Sequence, residues 1–371
     1  MLTPQDDLIG HQTPGTFAQA GNGDARFTER YWYTAHPIDG TPLLLDVGFG
    51  YYPNRGVMDA FAGVTVGRTQ HNFRASRQLG ANPLDLEVGP LRLDVVQGHQ
   101  LHRLTLRDNA SGIAFELEFQ AAFPAAQEKQ SRRERDGDVE EDLARVAQFG
   151  RWRGWLRVGG KRHELTPATW WGQRDRSWGI RSEMRTDWAS PPMQTHKKFF
   201  WTWSMLQTPT LGVSMFLKER EPGKPYYLSG AEYQRQADGS VRHRELTGAE
   251  HDLQWADDPL GQTITGGELR LSFDQGSPRI LRLEALPARY YLKGGLYGGW
   301  DGWNHGDDKG AYAESHDVWN LDDALTRERA RTLGDHVLRV HTDGESGIGI
   351  SEYGVAAGYP RYPLPQKHPA L

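Results

Sequence analysis

The chain has 371 residues, no cysteine and a formal net charge of −5, with a sequence pI near 6.3. These values exclude disulfides, thiolate catalysis, Cys-bound zinc and iron–sulfur clusters, and they leave no basic footprint for nucleic acid. With 43 glycines and 21 prolines among 37% hydrophobic residues, the composition favours many short strands joined by tight turns.

Residues 1 to about 26 are polar and Gly-rich and read as a mobile lead-in. Met1–Asp7 carries neither a basic nor an apolar signal region, and no run of about 18 apolar residues could span a bilayer, so a soluble cytoplasmic protein is expected. Strand patterns begin at Phe27. Arg30–His36 stops at Pro37, Ile38-Asp39-Gly40 turns, and Thr41–Gly50 returns. Tyr51–Ala60, Phe61–Gly67 and Gln70–Arg77 follow, and Leu84–Val88, Leu91–Gln97, His102–Arg107 and Ile113–Phe119 continue the meander.

The charge-dense insert Glu128–Asp142 reads as a solvated loop. Val139, Leu143, Val146 and Ala147 recur at helical spacing and predict a short helix over 139–147. Strands resume at Gly154–Val158 and His163–Leu165. Past the centre, Lys198–Leu206, Leu211–Lys218, Tyr226–Gln234, Val241–Leu246, Thr263–Phe273 and Ile280–Ala285 repeat the rhythm. Asn320 is placed to cap a helix through about Thr326, and His336–His341 and Gly347–Tyr353 are the last strands. The expected fold is all-β, in two linked lipocalin-like barrel or sandwich halves, residues 1–165 and 166–371.

The stretch Trp170–Arg181 concentrates chemistry: Asp175 stands among Trp170, Trp171 and Trp178 and beside Arg174, Arg176 and Arg181. A carboxyl group held among aromatic faces and guanidiniums can give or take a proton away from bulk water. In an extended strand Asp175 shares a face with Ser177 and Gly179, so Arg174 and Arg176 point away from it. The competing reading is a structural Asp–Arg pair bracing a junction. Tyr52 and Asp59 form a second cluster, and Trp300, Asp301 and His305 a third. His305, Glu314 and His316 lack zincin spacing, and Gly-x-Ser-x-Gly, Walker A and dinucleotide signatures are missing, so no metal and no cofactor is expected.

Gly48–Asn54 with Gly56–Asp59, Arg74–Arg77, Gly172–Arg181 and Trp201-Thr202-Trp203 carry a resemblance. The chain resembles proteins with two lipocalin-like halves, a group that includes AttH-like proteins, carotenoid 1,2-hydratases, tocopherol cyclases and fungal decalin-forming Diels–Alderases. It looks most like an uncharacterised bacterial branch of that group. The resemblance implies that Asp175 corresponds to the acid that protonates an alkene in the hydratases; the Arg-rich flanks depart from their pattern.

The resulting expectation is a cofactor-independent enzyme doing acid–base chemistry (hydration or dehydration, isomerisation, cyclisation or a lyase step) on a bulky hydrophobic small molecule. Asp175, Asp59 and His305 are its candidate catalytic residues. Trp171, Trp178, Arg181, Trp201, Trp203, Tyr52, Arg74 and Trp300 are its candidate substrate contacts. A homodimer is compatible with it. Two alternatives stay open: a non-catalytic carrier of a hydrophobic ligand, and a carbohydrate-active sandwich using Asp175 and Asp301 as paired carboxylates.

Overall fold

The computed structural model describes residues 22–80, 82–181, 199–257, 262–331, 333–356 and 358–362, together with 14 and 16. Most of the expected lead-in, and the Pro-rich tail beyond residue 362, lie outside the described residues. The fold is all-β, in two sheets.

The first sheet begins as a meander of β1 (Phe27–Pro37), β2 (Leu43–Tyr52), β3 (Val57–Val66) and β4 (Thr69–Gln78). It continues through β5 (Glu87–Val88), β6 (Leu91–Gln97), β7 (Leu101–Leu106), β8 (Ala114–Ala121), β9 (Ala126–Gln127), β10 (Ser131–Arg135), β11 (Asp138–Val158), β12 (Lys161–Leu165) and β13 (Trp170–Ile180). The second is a closed barrel of β14 (Phe200–Gln207), β15 (Leu211–Glu221), β16 (Lys224–Arg235), β17 (Val241–Trp255), β18 (Ile264–Phe273), β19 (Arg279–Tyr291), β21 (Gly334–Thr342) and β22 (Glu345–Val355). Between its last strands the chain sends out β20 (Tyr312–Asn320), which pairs antiparallel with β4 on the edge of the first sheet.

The expected boundary at 165/166 would fall just before β13, yet β13 is hydrogen-bonded between β1 and β11 of the first sheet. Sheet membership therefore groups residues 27–180 with 312–320. The helix expected over 139–147 is part of β11, and the charged insert is the β10–β11 hairpin. Asp136 and Gly137 turn that hairpin with φ of 53° and 88°, the left-handed pair such turns require. Pairing with β10, β9 and β13 overrides the helical spacing of four apolar side chains. The expected strand Leu84–Val88 shortens to Glu87–Val88. The short helix forms later than expected: α1 (Ala324–Ala330) is capped by Asp323, whose Oδ2 accepts from the Thr326 N–H at 2.7 Å. No helix among the described residues is long and apolar enough to cross a membrane.

Strand alternation gives the first sheet two different faces. Tyr33, Ala35, Leu45, Val47, Met58, Ala60, Phe73 and Ala75 pack into its own apolar core. The other face carries Arg30, Trp32, Thr34, Asp46, Asp59, Phe61, Asn72 and Arg74, all buried. That face meets the outer wall of the barrel in an apolar seam where Trp32, Leu44, Phe61 and Trp171 join Trp203, Met205, Tyr290, Val337, Ile348 and Ile350. Gly63 permits the approach: a Cβ there would collide with the Tyr290 ring. The barrel interior holds a separate core, with Phe200, Leu217, Leu271, Leu338 and Val340.

Candidate active site at the seam

Three carboxyl side chains meet at this seam from different strands: Asp46 of β2, Asp335 of β21 and Glu352 of β22. Asp46 and Asp335 are fully buried, while Glu352 is half-buried. Asp335 lies between the other two, near enough for a proton on one acid to be shared with the next. Trp32 Nε1 donates to Asp46 Oδ1 at 3.2 Å. Neither Asp335 oxygen, nor Asp46 Oδ2, receives an N–H or O–H from another described group, so protons carried by the acids themselves must satisfy these contacts. Burial accordingly pushes the Asp46 carboxyl up to about 7, against the opposing hydrogen bonds from Asp335 and Trp32. Burial also drives Asp335 and Glu352 well above the usual carboxylate range, helped by the charges of Asp46 on Asp335 and of Asp335 on Glu352.

Asp175 lies on the same side of the first sheet. Its Oδ2 is 2.9 Å from Nε of Arg145, a β11 residue that also pairs through Nη1 with Glu128 at 3.1 Å. Glu128 in turn accepts from Trp203 Nε1 at 2.7 Å, and Trp203 meets Trp32 edge-on at 5.4 Å. The Asp175 charge raises the titration of both Asp335 and Glu352, which places it within electrostatic reach of the three acids. As alternation requires, Arg174 and Arg176 point away. Arg174 reaches Gln148 and His99, and Arg176 reaches Glu29.

A second polar group adjoins. Asp59 accepts from Tyr52 Oη at 3.2 Å, from His305 Nδ1 at 3.1 Å and from the Gly306 N–H at 2.8 Å. With Nδ1 protonated, His305 Nε2 presents a lone pair, and no described group hydrogen-bonds to it. Burial, then the Arg30 guanidinium, holds the His305 ring below its ordinary titration range. Tyr297 meets the His305 ring edge-on at 4.8 Å and lies under Arg30 at 5.2 Å. Burial pushes the Tyr297 hydroxyl up to about 12, Arg30 and Arg181 oppose that rise, and Asp175 and Glu352 add to it. Tyr297 therefore stands electrostatically between the His305–Asp59 pair and the carboxyl cluster.

Of the candidate residues, Asp175, Asp59, Tyr52, His305, Trp203 and Arg181 gather at this face; Arg181 is buried with Nη2 on Ser177 Oγ at 2.7 Å. Trp171 lies in the seam under the Arg151 guanidinium at 3.8 Å, and Trp201 packs edge-on to Phe216 at 6.3 Å. Three candidates make other contacts. Trp178 is on the opposite face of β13 and 37% exposed. Arg74 is a clamp, reaching Gly294 O at 2.7 Å and Asp317 of β20 at 2.9 Å. Trp300 packs on Trp319 at 4.3 Å beside α1. Asp301 is an exposed partner of Arg329. Sequence reasoning missed Asp46, Asp335, Glu352, Arg145 and Tyr297. The available signal was Asp46 itself, a lone charge inside Leu43-Leu44-Leu45-Asp46-Val47, where every residue is buried. Among the described residues no group of three or more His, Asp or Glu side chains is arranged to hold a metal ion.

The closed barrel docked on a second large sheet gives an all-β, two-half lipocalin-like fold. The chain belongs to a family of unknown function (DUF8625), whose model matches residues 2–360. Its fold is similar to that of a Nitrosomonas europaea protein provisionally called AttH, at a TM-score of 0.52 and 12% identity, covering 90% of this chain and 93% of that one. A further similarity, at a TM-score of 0.41 and 14% identity, is to kievitone hydratase from Nectria haematococca, covering 88% of this chain and 89% of that one. No protein of curated function matches the chain.

Proposed function

We propose that the protein is an enzyme that moves protons on a bulky, largely apolar small molecule held at the seam. The observation that carries this reading is the meeting of Asp46, Asp335 and Glu352 from three strands at one seam, where burial favours the protonated form of each. Glu352 is the most exposed of the three and is the proton donor; Asp335 and Asp46 stand behind it as a relay. Asp175, ion-paired with Arg145, and His305, oriented by Asp59, are the groups on the same face that receive a proton. Trp32, Trp203 and Tyr297 are the aromatic side chains that an apolar substrate would meet beside them.

For a hydration, the Glu352 proton goes to one alkene carbon, water adds to the other, and the proton shed by that water passes to Asp175 or His305. The sum is addition of one water, and the reverse is a dehydration. Without water the same donor and acceptor shift a double bond or close a ring. Proton transfer alone carries each of these reactions, so the reading requires no electron carrier.

The substrate need not be identified in advance for the test. The protein is incubated in D2O with small molecules extracted from its native cells, and mass spectrometry seeks compounds that gain solvent deuterium. Wild type should label a discrete apolar compound, and Glu352→Gln and Asp175→Asn should each fail to label it while still retaining it on the column. Retention without labelling by wild type would make the protein a carrier. Equal labelling by Glu352→Gln would remove Glu352 from the chemistry.

A further inference from the structure

A pocket of about 340 Å3 opens away from the seam acids, where the β3–β4 turn, β18, β19 and α1 come together. It exists because β19 breaks register with β21 between Ala285 and Arg289. Pro287 within the break has no N–H to offer a ladder. Such interruptions commonly sit beside binding sites. His336 fixes the gap: its Nε2 bonds Leu286 O at 2.9 Å and its Nδ1 bonds Tyr353 Oη at 2.8 Å.

The lining divides by chemistry. Ile264, Leu286, Pro287 and Leu321 form apolar wall, while Arg68, Arg289 and Arg327 bring guanidiniums from three separate elements. Burial holds His336 down to about 3, so it adds no charge at neutral pH. Each arginine has protein contacts of its own. Arg68 bonds Asp322 and Leu321 O, Arg289 bonds Gln262 O and Thr263 Oγ1, and Arg327 is likewise engaged. These contacts hold the guanidiniums at the pocket wall, and a guanidinium's five donors let one group take part in more than one contact.

We propose that this pocket binds an anionic amphiphile, its carboxylate or phosphate head on the three arginines and its apolar body on the opposite wall. The volume lies at the lower end of the range for small-molecule sites, roughly 300–1,000 Å3. The site is separate from the reaction centre. Asp335 and His336 are consecutive on β21 and point to opposite faces, one to the carboxyl chain and the other into this pocket.

Isothermal titration calorimetry on the full chain tests the proposal with octanoate, octyl phosphate, octanol and inorganic phosphate as probes. Octanoate or octyl phosphate should bind at least about tenfold tighter than either octanol or inorganic phosphate, because head and body both contribute. The comparison between the two anions identifies the head. Arg68→Gln with Arg327→Gln should weaken that binding about tenfold or more, with circular dichroism reporting an unchanged fold. Glu352→Gln should bind like wild type. Equal affinity for octanol, no binding of either anion, an unaffected double variant, or loss of binding in Glu352→Gln would each overturn the proposal.

Discussion

The seam acids make stability fall as pH rises through neutrality, in a window where few other groups interfere. A carboxyl whose folded pKa lies above its unfolded value keeps a proton that the unfolded chain has lost. Folding stability then declines with rising pH, by about 1.4 kcal/mol per pH unit for each such group, until the folded pKa is passed. Asp46 does this between its ordinary value of 3.8 and about 7, and burial raises Asp335 and Glu352 in the same direction. Histidines act on the other side. Burial lowers His36 to about 4 and His102 and His336 to about 3, so their contribution is full above the ordinary 6.5 and is lost only on acidification. The interval from about pH 6.5 to 8 therefore isolates the carboxyls, and one retained proton costs roughly 2 kcal/mol across it. An unfolding entropy near 2.1 cal/mol/K per residue over 371 residues is about 0.8 kcal/mol/K, so each retained proton lowers Tm by about 3 °C. Scanning calorimetry should show Tm falling across this interval, by about 3 °C for each seam acid that keeps its proton throughout. Asp335→Asn should make that slope shallower and be more stable than wild type at the upper pH. A flat or rising wild-type Tm, or a parallel fall in the variant, would refute the assignment of protons to this cluster.

Other consequences can be checked separately. Arg145→Met strands Asp175 and Glu128 without their shared cation, so denaturant titration should show a loss of about 3–5 kcal/mol, partly restored by adding Asp175→Asn. Gly63→Ala drives a methyl into the Tyr290 ring and should cost about 1–3 kcal/mol by the same measurement. Asp59→Ala removes the acceptor for His305 Nδ1, and 15N NMR should show the ring losing its Nδ1-protonated preference. Unchanged shifts would mean that another group orients the ring.

The strand rhythm was legible because turn residues punctuate it and side chains alternate, and Asp175 stood out because its stretch combines indoles, guanidiniums and an acid. That Asp175 lies on the face of β13 opposite Arg174 and Arg176 also followed from alternation. What escaped was long-range. Asp46, Asp335 and Glu352 are 289 and 17 positions apart along the chain, by subtraction of their numbers, and only the docking of barrel on sheet makes them one cluster. Each, read locally, is a single acid in a short strand, which ordinarily faces water. Arg145 was hidden for another reason: its segment showed apolar residues at helical spacing, and the β-pairing that overrides them involves partners before and after it in sequence. Arg74 and Trp300 looked like ligand contacts because large polar and aromatic side chains serve equally well to hold β20 and α1 in place.

The loan of β20 to the first sheet bears on how this chain can be divided or remodelled. Tyr312–Asn320 covers β4 from Thr69 to Arg77, while Arg74 and Asn72 grip Asp317 across the junction. A fragment ending at Ile180 would expose β4 as a bare edge, inviting self-association. Splitting the gene at the midpoint thus yields two interdependent pieces, whereas a tether that preserves this exchanged strand offers a route to permuted versions that still fold as one.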